Sequence, residues 1–243
     1  MAKSSLEGGS ISRASLALLL LLLLSLPGCM GLPPGYSGIG DGAYKVRSGD
    51  TLYSIAFRHG LDYRSLAEIN NIMPPYMIYP DQVLRLQGST KLQEKDQGPE
   101  TSTATAITTM PTKKFALPSS VDGWSWPLKG KIVADFSLAK PVNNGIDIAA
   151  RDGELVKAAA DGVIVYAGGN LRGYGKLVII KHTDNFLSAY GNNSTLLVSE
   201  GDKVKVGRSI ARSGAGDVNQ QVLHFEIRRD GKPVDPLKFL PSL

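Results

Sequence analysis

Three histidines (His59, His182 and His224), one cysteine (Cys29) and a scatter of carboxylates are the side chains of this 243-residue chain best suited to metal or covalent chemistry. Hydrolysis at a zinc ion takes three protein ligands and a water that the metal makes acidic enough to attack. Among the histidines, His224 sits in an alternating run, with Leu223, Phe225 and Ile227 on one face and His224, Glu226 and Arg228 on the other. His182 follows an apolar, strand-like run at 177–180. His59 reads as an exposed helix-end residue without a partner. A single cysteine excludes an intrachain disulfide, so the folded parts must rely on their cores.

Cys29 closes the segment Ser25-Leu26-Pro27-Gly28-Cys29, behind a leucine-rich run at 16–24 and a weakly basic start at Lys3 and Arg13. The apolar run is shorter than the roughly 20 residues a membrane span needs and suits the core of a secretory leader. A leucine three residues before a cysteine, with glycine just before it, resembles a bacterial lipobox. That resemblance implies a signal peptide at 1–28, a diacylglycerol on the Cys29 thiol, and a tether at 29–42 rich in glycine and proline. Each buried methylene contributes about 0.8 kcal/mol, so several acyl chains hold the protein firmly to a membrane. Met30, not aspartate, follows the cysteine; by similarity to bacterial sorting signals this implies the outer membrane, with the chain facing the periplasm. Without Lys3, Arg13 and Glu7 the mature chain remains mildly basic, which suits a polyanionic cell wall or lipid headgroups. With no dense Lys/Arg cluster, nucleic acid is not an expected partner.

Two modules carry the remaining sequence. Residues 43–87 read in the order βααβ. Tyr44-Lys45-Val46 forms a strand, Asp50 or Thr51 caps a helix carrying Leu52, Ile55 and Ala56, and a second helix from Tyr63 carries Leu66, Ala67 and Ile69. A turn at Pro74-Pro75 and a strand at 83–86 complete the module. The runs Gly49-Asp50-Thr51-Leu52, Leu66-Ala67-Glu68-Ile69-Asn70 and Ile78-Tyr79-Pro80-Asp81-Gln82-Val83-Leu84 resemble the LysM family over the whole module. The resemblance implies binding of N-acetylglucosamine-containing glycan, here peptidoglycan, against Gly49, Asp50, Thr51, Met77, Ile78 and Tyr79. Gly49-Asp50-Thr51 also builds the turn and the cap. Residues 88–121 are polar, without an apolar period, and read as a flexible linker.

Residues 122–243 read as an antiparallel, mainly β domain, with short apolar strands punctuated by glycines and no long helical pattern. Gly145-Ile146-Asp147-Ile148-Ala149, Asp161-Gly162-Val163-Ile164-Val165-Tyr166-Ala167-Gly168, Ser188-Ala189-Tyr190 and Leu223-His224-Phe225-Glu226 resemble the LytM or M23 zinc peptidase family over the domain's length. In that family a histidine and an aspartate of an H-x-G-x-D pattern and the last histidine of H-x-H hold the metal, assisted by the histidine of Y-x-H and the first of H-x-H. Here Asn143, Asn192 and Val222 stand at three of those positions, while Asp147 and His224 are kept. Two ligands fall short of three and valine has no donor, so the expectation is no metal, no cofactor and no catalytic residue.

A lipobox, a LysM module and a histidine-poor LytM domain together resemble the NlpD-type murein hydrolase activators. That resemblance implies a non-catalytic lipoprotein that activates periplasmic N-acetylmuramoyl-L-alanine amidases during cell separation. The partner would bind the vestigial groove at Asn143, Asp147, Tyr174, Asn192, Val222 and His224. The alternatives are an active zinc murein endopeptidase, or a structural tether between outer membrane and peptidoglycan.

Overall fold

The computed structural model describes residues 42–88, 121, 123–214 and 221–242; the expected signal peptide, the expected lipid attachment at Cys29, most of the expected tether and nearly all of the expected linker lie outside the described residues. The N-terminal module has the expected order, with β1 (Ala43–Lys45), α1 (Leu52–His59), α2 (Tyr63–Ile69) and β2 (Val83–Arg85). β1 and β2 pair antiparallel, Tyr44 opposite Leu84.

Of the two residues that could cap α1, Thr51 does so. Its hydroxyl accepts from the Ser54 N–H while the Ser54 hydroxyl accepts from the Thr51 N–H, a reciprocal capping box. Asp50 instead holds the preceding turn, accepting from the Arg47 N–H at 2.9 Å and the Tyr44 hydroxyl at 2.7 Å. Gly60 ends α1 in the left-handed conformation that glycine adopts at low cost. Leu52, Ile55, Ala56, Leu66 and Ala67 face one small core with Val46, Tyr63 and Leu84. His59 departs from expectation. It is half-buried against the Tyr44 ring, and its Nε2 has no hydrogen-bond partner among the described residues.

The C-terminal module is built on one antiparallel sheet. The central path runs β3 (Ile132–Ala134), β4 (Ile146–Ala149), β11 (Val222–Arg229), β8 (Phe186–Leu196), β7 (Lys176–Lys181), β6 (Gly162–Gly168) and β9 (Lys203–Val204). β10 (Ser209–Ser213) joins β5 (Leu155–Lys157) to β8, and β12 (Lys232–Val234) pairs with β11. One face carries the main core, including Ile146, Ile148, Ile180, Tyr190, Phe225 and Ile227. Trp126 ties the start of the domain to its end by donating from Nε1 to the Pro241 carbonyl at 2.8 Å.

The opposite face carries a second apolar cluster of Tyr166, Leu171, Leu177, Ile179, Leu187 and Ala189, completed by Phe57 of α1. Both modules fall in one compact unit. This explains a feature that strand alternation alone does not. Alternation ordinarily separates core from solvent, yet Glu226 and Arg228 on the polar face of β11 are 0% and 4% exposed. Phe57 of the N-terminal module packs on Arg228, and Glu226 is enclosed by its hydrogen bonds to Arg228, Tyr174 and His224.

Candidate functional site

β4 and β11 bring Asp147 and His224 opposite each other in register, and β8 places Gly191 on the far side of His224. Asp147 Oδ1 lies 2.7 Å from His224 Nδ1, and Glu226 Oε1 lies 3.0 Å from His224 Nε2. Glu226 is buried. Its second oxygen accepts from Arg228 Nε at 2.7 Å, and Oε1 also accepts from the Tyr174 hydroxyl at 2.8 Å. The result is a chain of charges running from the half-exposed Asp147 through His224 and Glu226 to the buried Arg228.

The protonation of this chain follows from its partners. Burial pushes the His224 imidazole down, but its hydrogen bonds to Asp147 and Glu226 and their charges outweigh burial and lift it to about 9. Burial pushes Glu226 up, and His224 and Arg228 outweigh it, holding the carboxylate below its ordinary range. Tyr174 is raised, first by burial and then by the Glu226 charge, so it stays a hydroxyl donor. At neutral pH a cationic imidazolium therefore bridges two carboxylates.

Tyr174 meets the His224 ring edge-on at 5.7 Å, and its carbonyl accepts from the Asn192 N–H at 2.8 Å. Asn192 is buried at φ 62°, a left-handed conformation that asparagine tolerates. Val222 is buried on the His224 side of β11, opposite Ala149. Asn143 precedes β4, where its amide is engaged in its own turn. Nδ2 donates to the Asp135 carbonyl at 3.2 Å, Oδ1 accepts from the Gly145 N–H at 3.4 Å, and the backbone bridges Ser137. The structure thus joins Asp147, Tyr174 and His224 directly and sets Asn192 and Val222 beside them. The donor set does not fit a catalytic zinc: one carboxylate and one imidazole face each other, and the next positions supply a committed amide and a hydrocarbon. Among the described residues, no three His, Cys, Asp or Glu side chains are grouped to hold a metal.

Glu226 and Arg228 were not among the expected site residues. Their signal was present in the sequence: two charges on the same alternating face as His224. His182 lies outside the groove, fully buried, with Nδ1 2.7 Å from the Asp161 carbonyl and Nε2 2.7 Å from the Ser188 hydroxyl.

In the N-terminal module the two expected glycan-contacting loops differ. Met77 and Tyr79 are 60% and 65% exposed, and Ile78 lies between them. The carboxylate of Asp50 is turned inward, its side chain 2% exposed and paired with Arg58, and the Thr51 hydroxyl is committed to its cap. A ligand at this loop would meet backbone more than these two side chains. Gly49 (φ 79°) lies against the side chain of Asn170 from the other module.

Comparison with known proteins agrees with this architecture. The LysM domain model matches residues 44–87 and the Peptidase family M23 model matches residues 141–236. The chain is 44% identical to the lipoprotein NlpD/LppB homolog of Pseudomonas aeruginosa, over 83% of this chain and 77% of that protein. It is 38% identical to the lipoprotein YgeR of Escherichia coli K12, over 97% of each. With the murein hydrolase activator NlpD of Escherichia coli K12 it shares 36% identity, over 87% of this chain and 70% of that protein. Similar to these relatives over most of both lengths, and carrying a LysM match followed by an M23 match, the chain belongs to the NlpD/LppB lipoprotein family.

Proposed function

We propose that this chain is a non-catalytic, peptidoglycan-binding outer-membrane lipoprotein that activates periplasmic N-acetylmuramoyl-L-alanine amidases. Residues 1–28 are its signal peptide, Cys29 its lipid anchor, and residues 88–121 the linker between a LysM module at 43–87 and an M23-like domain at 122–243. The observation that carries the reading is the His224 imidazolium, closed between Asp147 and Glu226, with an inert Val222 on the same face of β11 and the amide of Asn143 engaged in its own turn before β4. Such a groove offers shape, hydrogen bonds and charge but no acidified water. The naming of relatives as murein hydrolase activators supports the same direction. A groove of this kind acts on an enzyme by binding one of its conformations better than another, and the difference in affinity sets the size of the activation.

The test uses purified chain on labelled murein sacculi, alone and with candidate amidases. The chain alone is expected to release no label and to copurify without stoichiometric zinc, and the mixture to exceed the amidase alone. Cleavage by the chain itself, abolished in Asp147→Ala, would replace this reading with a zinc endopeptidase. No stimulation of any amidase would reduce it to a tether.

A further inference from the structure

The N-terminal module is docked on the sheet face that also carries the groove, and the contact has a defined anchor. Phe57 is 3% exposed, yet it belongs to the second apolar cluster of the C-terminal module and not to the core of its own. Its ring meets Tyr174 at 5.4 Å and lies under the Arg228 guanidinium, whose Cζ is 3.4 Å from the ring centroid. Arg228 also donates from Nη1 to the Phe57 carbonyl at 2.6 Å. The same guanidinium holds Glu226, so the helix end is joined by hydrogen bonds to His224 and Asp147. Arg64 pairs with Asp230 at 2.9 Å at the other edge, where Gly231 approaches the Leu61 carbonyl so closely that a Cβ would stand 2.4 Å from it.

One contact falls on the expected glycan loop. Asn170 donates from Nδ2 to the Ser48 carbonyl at 3.4 Å, and a Cβ on Gly49 would lie 2.6 Å from that same nitrogen. The loop backbone a glycan would use is therefore partly occupied while the module is docked. We propose that docking and glycan binding compete: an N-acetylglucosamine oligomer seated between the 49–51 and 77–79 loops displaces Asn170, releases α1 from the sheet face, and uncovers Phe57, Tyr174 and Arg228 beside the groove. The wall would then open the surface that a protein partner needs. This inference rests on the reading of the LysM module as a glycan binder. It is thermodynamically reciprocal, since whatever loosens docking must tighten glycan binding.

The experiment uses the mature chain with Cys29→Ser, so that an Arg64→Cys/Asp230→Cys pair can be joined by a short bis-maleimide. Chitotetraose affinity is read by calorimetry on the same chain. Saturating chitotetraose is expected to slow crosslinking at least tenfold. Phe57→Asp, which alters no residue of the LysM core, should crosslink that slowly without sugar and bind the sugar several-fold more tightly. Asn170→Ala, at an exposed loop position, should raise sugar affinity while retaining the crosslink. Sugar binding that leaves the crosslinking rate unchanged, or equal affinities in all three chains, would overturn the competition alone. Failure of every chain to bind the sugar would overturn the glycan reading and the competition with it.

Discussion

His182 and His224 are both enclosed by the same sheet, and their neighbours drive them apart. The ring nitrogens of His182 meet a carbonyl and a hydroxyl, and burial outweighs the Asp161 carbonyl and charge, holding the ring down to about 4 so that it stays neutral. For His224 burial acts the same way, but two carboxylates overcome it and the ring rises to about 9. An unfolded histidine titrates near 6.5. The stability held by His182 is therefore complete above about pH 6.5 and lost as pH falls toward 4; that held by His224 is complete below about 6.5 and lost as pH rises through 9. Each displacement corresponds to about 3 kcal/mol at 1.36 kcal/mol per pH unit. Urea midpoints measured across this range should peak between the two windows, and imidazole NMR titrations should assign the acid limb to His182 and the alkaline limb to His224. Glu226→Gln should destabilise by about 3–5 kcal/mol, because it leaves the buried Arg228 charge without its carboxylate. Asp147→Asn, at the more exposed end, should cost about 1–2 kcal/mol. Equal urea midpoints for the two variants would refute this ordering of the charge chain. The identities of Asp147, Asn192, Val222 and His224 were legible from motif positions. The role of Glu226 was not, because burial of a charge depends on what covers it and no local pattern reports that.

The elements themselves were largely legible. Alternation in β11, the capped start of α1 and the βααβ order are local properties, and each has a physical signal in neighbouring residues. The order of strands in the sheet was not legible, since β4, β8 and β11 are distant in sequence and their pairing is non-local. Two substitutions test how the elements hold the site. Thr51→Ala removes one half of the capping box and should cost about 0.5–2 kcal/mol, read as a lower urea midpoint. Gly145→Ala should cost more, since its Cβ would lie 2.1 Å from the Phe225 carbonyl oxygen and force β4 and β11 apart beside Asp147 and His224. Loss of the raised His224 titration in that variant would tie strand spacing to the charge chain. An unchanged titration would show that the site tolerates the shift.

The two modules are joined by side-chain contacts as well as by the chain between them. A module of some 45 residues buries little surface by itself and is marginal in isolation. Burial of a phenylalanine side chain contributes about 1.5–3 kcal/mol, so the Phe57 contact is large relative to what the module can supply alone. Phe57 lies off the helical face of α1 that carries Leu52, Ile55 and Ala56, so it falls outside the core of its own module, and nothing in the local sequence says what covers it. On the function proposed above, the groove beside this contact binds an enzyme and does not itself cut the wall. Label release from murein sacculi by a partner amidase, in the presence of the wild-type chain or of Asn143→Arg, which places a bulky cation in the turn leading into β4 and Asp147, tests this. Strong stimulation by the wild-type chain and little or none by the variant is the expected result. Equal stimulation by both chains would show that the groove does not bind the amidase.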